Sequence, residues 1–142
     1  MNSSTENRIR VEVLVNATPE KAWNCMFSGE HIVNWNFASP DWHCPHAETD
    51  IRVGGKISSR MESRDGQFGF DFNCLIDVVE APNKLQYHLE DGRKVFISFN
   101  QVNNQTQVIE EFDPENENPH DMQQMGWQAI LTNYKNYTEG IE

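Results

Sequence analysis

From Ile57 to Phe112 the chain repeats one pattern: short segments with apolar residues at every second position, each ended by turn-forming residues. Ile57, Ser59 and Met61 alternate up to Asp65-Gly66. Phe68, Phe70, Phe72, Cys74, Ile76 and Val78 share one face of the longest segment, which Ala81-Pro82-Asn83 closes. Leu85, Tyr87 and Leu89 run to Asp91-Gly92; Val95, Ile97 and Phe99 run to Asn103-Asn104; a last segment spans Thr106 to Phe112. A period of two is that of a strand with one covered face, and tight turns join successive strands antiparallel. A meander of this length has an apolar face that another element must cover. The chain offers one large element for the purpose. Asn118 as cap, Pro119 at the first helical position and Asp121 in a capping-box position open a helix that Gly140 stops. Met122, Met125, Gly126, Ala129, Ile130, Tyr134 and Tyr137 lie along its broad apolar face, with Trp127 and Leu131 widening it. About twenty residues long, it reaches ~30 Å, enough to cross a small sheet.

The meander is preceded by an alternating strand, Arg8–Asn16, and by Thr18-Pro19, a capping residue followed by a proline at the first helical position. Ala22, Trp23, Met26 and Phe27 form the stripe of a first short helix; after Ser28-Gly29 a second is expected from Glu30 to Asn36, with Ile32 and Trp35 inward. The stretch from Phe37 to Ile51 is weakly patterned, and Trp42-His43-Cys44 between Pro40 and Pro45 reads as a loop or a short edge strand. The order of elements makes this an α+β chain, with a curved antiparallel sheet around a C-terminal helix and a pocket between them.

Composition narrows the function. At 142 residues the chain fits one domain, residues 1–142, with Met1 to Asn7 as a flexible polar arm. A net charge of −11 argues against nucleic acid and against an anionic membrane surface. No window is apolar enough for membrane insertion, and no signal-peptide pattern opens the sequence. Three dispersed cysteines, Cys25, Cys44 and Cys74, favour free thiols and a cytoplasmic setting.

Several pieces, in this order and spacing, carry a family likeness: Ala17-Thr18-Pro19 with Ala22-Trp23, His31-Ile32 with Trp35, Gly54-Gly55 before a strand, Val78 through Pro82 with Tyr87, Thr106, and Gly126-Trp127 with Leu131. From about Ile9 to Tyr137 the chain resembles the START-like helix-grip domains of birch-pollen-allergen-type proteins, polyketide cyclases and lipid-transfer domains. Within these it is most similar to the bacterial homologues of the activator of the heat-shock-protein-90 ATPase. The resemblance implies an apolar cavity between sheet and long helix; family members include ligand binders, cyclases and proteins without known activity. A shared fold does not assign chemistry.

The residues themselves offer few catalytic groups. His43, Cys44 and His46 are ligand types for a metal, but their crowded spacing around Pro45 favours a loop at the pocket mouth. Cys74 shares the face of Phe70 and Phe72 and reads as a small core residue. Asp71, Asp77 and His88 are expected in solvent, and Arg60, Arg64 and Arg93 among local acidic partners. Gly54-Gly55 is followed by a strand pattern and lacks the downstream helix of a phosphate loop. Glu110 shares the parity of Val108 and Phe112, which turns its carboxyl inward, where burial would raise its pKa.

The aromatic and methionine residues suggest an adaptable apolar pocket. The expected ligand contacts are Trp35, Trp42, His43, Met61, Phe70, Phe72, Tyr87, Phe99, Glu110, Met125 and Ile130, with the Trp35–Trp42 region as the mouth. No catalytic residue, metal or cofactor is assigned. The expected partner is a small hydrophobic or aromatic molecule. A homodimer through Met122, Met125 or Trp127 is left open. The competing readings are a cyclase-, dehydratase- or hydrolase-type enzyme using Glu110 with Tyr87 or a histidine, and a chaperone-associated interaction module.

Overall fold

The structure, a computed structural model, describes residues 8–141; the expected arm Met1 to Asn7 lies outside them. Strand β1 (Ile9–Val15) leads to helices α1 (Pro19–Phe27) and α2 (Gly29–Ile32). Strands β2 (Trp42–Thr49), β3 (Lys56–Ser63), β4 (Gly69–Glu80), β5 (Lys84–Leu89), β6 (Lys94–Val102) and β7 (Gln105–Phe112) follow, and helix α3 (His120–Gly140) ends the chain. All seven strands form one antiparallel sheet in the order β1-β7-β6-β5-β4-β3-β2, curled into a half-barrel. The meander returns the chain to its start, and β7 pairs with β1 from Ile9 opposite Phe112 to Val15 opposite Thr106.

Local chemistry explains most boundaries. Thr18 caps α1 by accepting the Lys21 backbone N–H at 3.2 Å, and Pro19 costs nothing at a position whose N–H has no helical partner. Gly66 and Gly92 sit at φ 78° and 93°, the left-handed conformation these hairpin turns require. At Gly29 the demand is space. A Cβ there would lie 2.4 Å from the Ala47 carbonyl oxygen, so α2 can pack on β2 only with glycine at this position.

Of the loop and the short edge strand left open around Trp42-His43-Cys44, the edge strand holds and runs from Trp42 to Thr49, because a register shift between His43 and His46 accommodates Pro45 at a place without ladder bonds. Three expectations are corrected by the fold. The second helix closes at Ile32, and turn hydrogen bonds alone carry the chain on to Asn36. A further shift between Ile76 and Val78 breaks the parity of β4. Val78 therefore stands opposite Gln86, and Val79, opposite buried Leu85, takes the inner position. Finally, α3 starts at His120, with Pro119 rather than Asn118 in the cap position. The Asn118 backbone and side-chain N–H groups instead donate to the Glu115 carboxylate at 2.7 and 2.8 Å.

Helix α3 is also rotated relative to the apolar reading. Its buried positions are Gln123, Leu131, Tyr134 and Thr138, while Met122 and Met125 are 57 % and 72 % exposed. Gln123 faces inward because its side chain ties down the preceding loop. Its Nε2 donates to the carbonyls of Glu115 and Asn118, and its Oε1 accepts from the Glu115 N–H. The helix lies against β1 and α1 and stands off β3, β4 and β5. The apolar space of the molecule sits in that gap.

Candidate functional site

A cavity of about 250 Å³ lies between the sheet and α3. Met26, Phe27 and Ile32 close its helical end, with Trp35 and Asn36 just beyond α2. Ile57, Ser59, Met61, Phe70, Phe72, Tyr87 and Ile97 form the sheet wall, Glu110 adds a carboxyl from β7, and Trp127 and Ile130 form the roof. The aromatic wall is held rigidly. Trp35 donates its indole N–H to the Cys25 carbonyl at 2.9 Å and meets Tyr134 edge-on at 5.3 Å. Tyr134 in turn donates to the Ala22 carbonyl at 2.6 Å, and Trp127 stacks on Phe112 with ring centres 3.8 Å apart.

A wider groove of about 590 Å³ adjoins the cavity. Phe70, Phe72, Trp127 and Ile130 line both spaces and so form the sill between them. The outer groove also carries Asp71, Glu90, Asp91 and Glu115, with Arg93 as its cation. That guanidinium is held by Asp91 at 2.7 Å. The groove is therefore an acidic vestibule.

The polar groups of the cavity are few. Asn36 donates to Ser59 Oγ at 3.2 Å and reaches Met61 Sδ at 3.4 Å. Glu110 is 8 % exposed and has no hydrogen-bond or ion-pair partner among the described residues. Burial alone pushes its carboxyl up to about 8. Tyr87, on the next strand but one, is equally buried, and its phenol is also pushed upward, chiefly by burial. The thiols are less available: all three cysteines are free and buried, and burial pushes Cys74 up to about 12. A thiolate nucleophile is thereby disfavoured.

Of the expected contact residues, Trp35, Met61, Phe70, Phe72, Tyr87, Glu110 and Ile130 do line the cavity. The others do not. Trp42 lies outside, on the edge strand, with its ring 6.0 Å from that of Phe70, so the opening is the Phe70–Trp127 sill rather than the Trp35–Trp42 region. His43 is half-exposed and approaches Glu62 at 3.7 Å. Phe99 is locked between Trp23 and Phe27 at 5.3 and 5.8 Å, and Met125 points to solvent on the outer side of α3. Phe70 is itself half in water at 51 % exposure, as a sill residue must be. Among the described residues, no three His, Cys, Asp or Glu side chains converge as a metal set. Ser59 and Asn36 are lining residues that the apolar pattern hid, although Ser59 shares the parity of Ile57 and Met61.

This architecture matches known proteins over nearly its whole length. Residues 16–139 fit the model of the family described as Activator of Hsp90 ATPase homolog 1-like protein. The solved structure of protein Chr148 from Cytophaga hutchinsonii is 44% identical with a TM-score of 0.82, covering 94% of this chain and 92% of that one. An AHSA1-like protein from Aeromonas hydrophila is 36% identical with a TM-score of 0.83, covering 92% of both chains. Protein CV1439 from Chromobacterium violaceum shares the fold at 17% identity, with a TM-score of 0.84 over 95% of this chain and 99% of that one. No curated protein matches the chain. The family model covers most of the sequence and two solved structures exceed one-third identity, so this chain belongs to the Activator of Hsp90 ATPase homolog 1-like family, with its START-like fold.

Proposed function

We propose that the protein binds a small hydrophobic or aromatic molecule, noncovalently, in the space between its sheet and α3. The observation that carries this is the cavity of about 250 Å³, walled by Trp35, Phe72, Tyr87 and Trp127 and open at the sill. An apolar cavity of ~150 Å³ holds benzene, whereas drug-sized ligands occupy ~300 Å³ or more. The occupant is therefore a compound of one or two rings, or a short chain of similar bulk. Burial of its surface would contribute about 25 cal/mol per Å² of apolar area before ordering costs are met. The START-like fold, which commonly holds hydrophobic ligands, supports the same reading.

Titration of the isotope-labelled protein with indole, followed by amide chemical shifts, tests it. Saturable shifts confined to Trp35, Ser59, Phe72, Tyr87 and Trp127 are the expected result. Absence of saturable shifts, with both indole and a neutral aliphatic probe such as hexanol, would reject the proposal.

A further inference from the structure

Glu110 is the carboxyl in a mostly apolar chamber whose other polar side chains are Asn36, Ser59 and Tyr87. Its β7 neighbours on the inner face are Thr106, Val108 and Phe112, and opposite it stand Val11 on β1 and Ile97 on β6. A buried carboxyl ordinarily has a cation or several N–H donors beside it, because desolvating an ionised group costs several kcal/mol. Here burial is the sole influence on its titration, with no lysine, arginine or histidine contributing among the described residues. The titratable groups within electrostatic reach are Tyr87 on β5 and Tyr134 on α3, both neutral at physiological pH. Tyr134 spends its hydroxyl hydrogen on the Ala22 carbonyl, whereas Tyr87 Oη has no partner among the described residues. Among the described residues, the chamber thus holds an acid and a phenol that no hydrogen bond or ion pair engages.

The way in has the same sign. The vestibule presents Asp71, Glu90, Asp91 and Glu115, and its one arginine is already committed to Asp91. On a chain of net charge −11 this field repels anionic head groups and concentrates cations at the sill. Past the sill, Trp127, Phe72, Trp35 and Tyr87 supply aromatic rings, whose quadrupoles favour a cation over an anion.

From the unpartnered carboxyl inside and the acidic approach outside, we infer that the cavity is built for an apolar or aromatic primary amine, bound as its ammonium ion against Glu110 and Tyr87. The inference rests on the ligand-binding reading above and names the class of ligand. An amine arrives from water already protonated. Its ammonium pairs with the Glu110 carboxylate, and the proton that Glu110 carried leaves to solvent, so charge and protons balance. Ligands ending in a carboxylate are excluded by the same two features.

The test compares three probes on the full chain by calorimetry: 2-phenylethylamine, 2-phenylethanol and 3-phenylpropionate. The amine should bind about tenfold or more tightly than the alcohol, and the acid not at all. In Glu110→Gln the amine's advantage over the alcohol should vanish. Calorimetry of wild type in buffers of different ionisation enthalpy should show release of about one proton per amine at pH 7, a readout independent of whether the variant folds. Equal binding of amine and alcohol, an amine preference that survives Glu110→Gln, or binding without proton release each overturns the inference. In those cases the general reading stands if the alcohol still binds. If none of the three probes binds wild type, both fall.

Discussion

Glu110 shows how one residue ties stability to function. A glutamic acid in an unfolded chain titrates near ~4.3, whereas burial in the folded protein pushes this one up to about 8. The folded state therefore keeps a proton that the unfolded state releases. Its contribution is complete below about pH 4.3 and is lost as pH rises toward about 8. Replacing it with glutamine, which does not ionise, removes that loss. The stability of Glu110→Gln relative to wild type, measured by urea denaturation, should grow by about 3 kcal/mol between pH 5 and pH 8. A difference that stays constant across this range would mean that the wild-type carboxyl is well solvated. The inward parity of Glu110 was readable from Val108 and Phe112, because alternation on β7 is unbroken. The lack of a partner was not readable, since it depends on every side chain that the fold brings around it.

At the scale of elements, the helix–strand seam is the least obvious feature. Edge strand β1 pairs with β7 on one side and leaves its other carbonyls free, the liability that natural sheets cover or blunt. Gln124 and Gln128 of α3 donate to the Arg10 and Glu12 carbonyls at 3.0 and 3.1 Å, and Glu139 accepts the Asn16 N–H at 2.8 Å. The match is geometric. Four helical residues advance about 6 Å and two strand residues advance about 6.6 Å, so glutamines four apart meet carbonyls two apart. Gln124→Ala with Gln128→Ala should cost about 1–2 kcal/mol in urea denaturation and promote association through the uncovered edge, visible by light scattering. A double variant as stable and monodisperse as wild type would show the seam to be incidental. The same seam explains why Met122 and Met125 mislead. Counting apolar residues places them inward, yet the helix is turned by hydrogen bonds from Gln123, Gln124 and Gln128, which hydropathy scores as surface. The parity break on β4 is of the same kind: a bulge at Asp77 moves Val79 into the place that alternation assigns to Val78.

For the whole molecule, the consequence of resting α3 on β1 and α1 is a gap between the helix and the β3–β5 part of the sheet. Whether that gap is real space can be measured. Ile97 is 3 % exposed and faces the cavity, so Ile97→Phe would place a ring where the structure has about 250 Å³ free. In a solidly packed core such an enlargement costs about 1–3 kcal/mol. Here the melting temperature should hold or rise while indole binding is lost. A melting temperature lower by several degrees would mean that the chamber does not exist as described.

Read alone, the amino-acid order determined the kind of molecule this is. Alternating segments punctuated by Asp65-Gly66, Asp91-Gly92 and Asn103-Asn104 compel an antiparallel meander, and a single long apolar-faced segment is left to cover it. Such signals are local, carried by residues within a few positions of one another. Only the tertiary structure decided which face of α3 turns inward, where the opening lies, that Trp42, His43, Phe99 and Met125 stay out of the chamber, and that Glu110 stands in it without a partner among the described residues. Each of these depends on contacts between segments far apart in the chain, such as Gln124 with Arg10 or Trp127 with Phe112, and no local period encodes them.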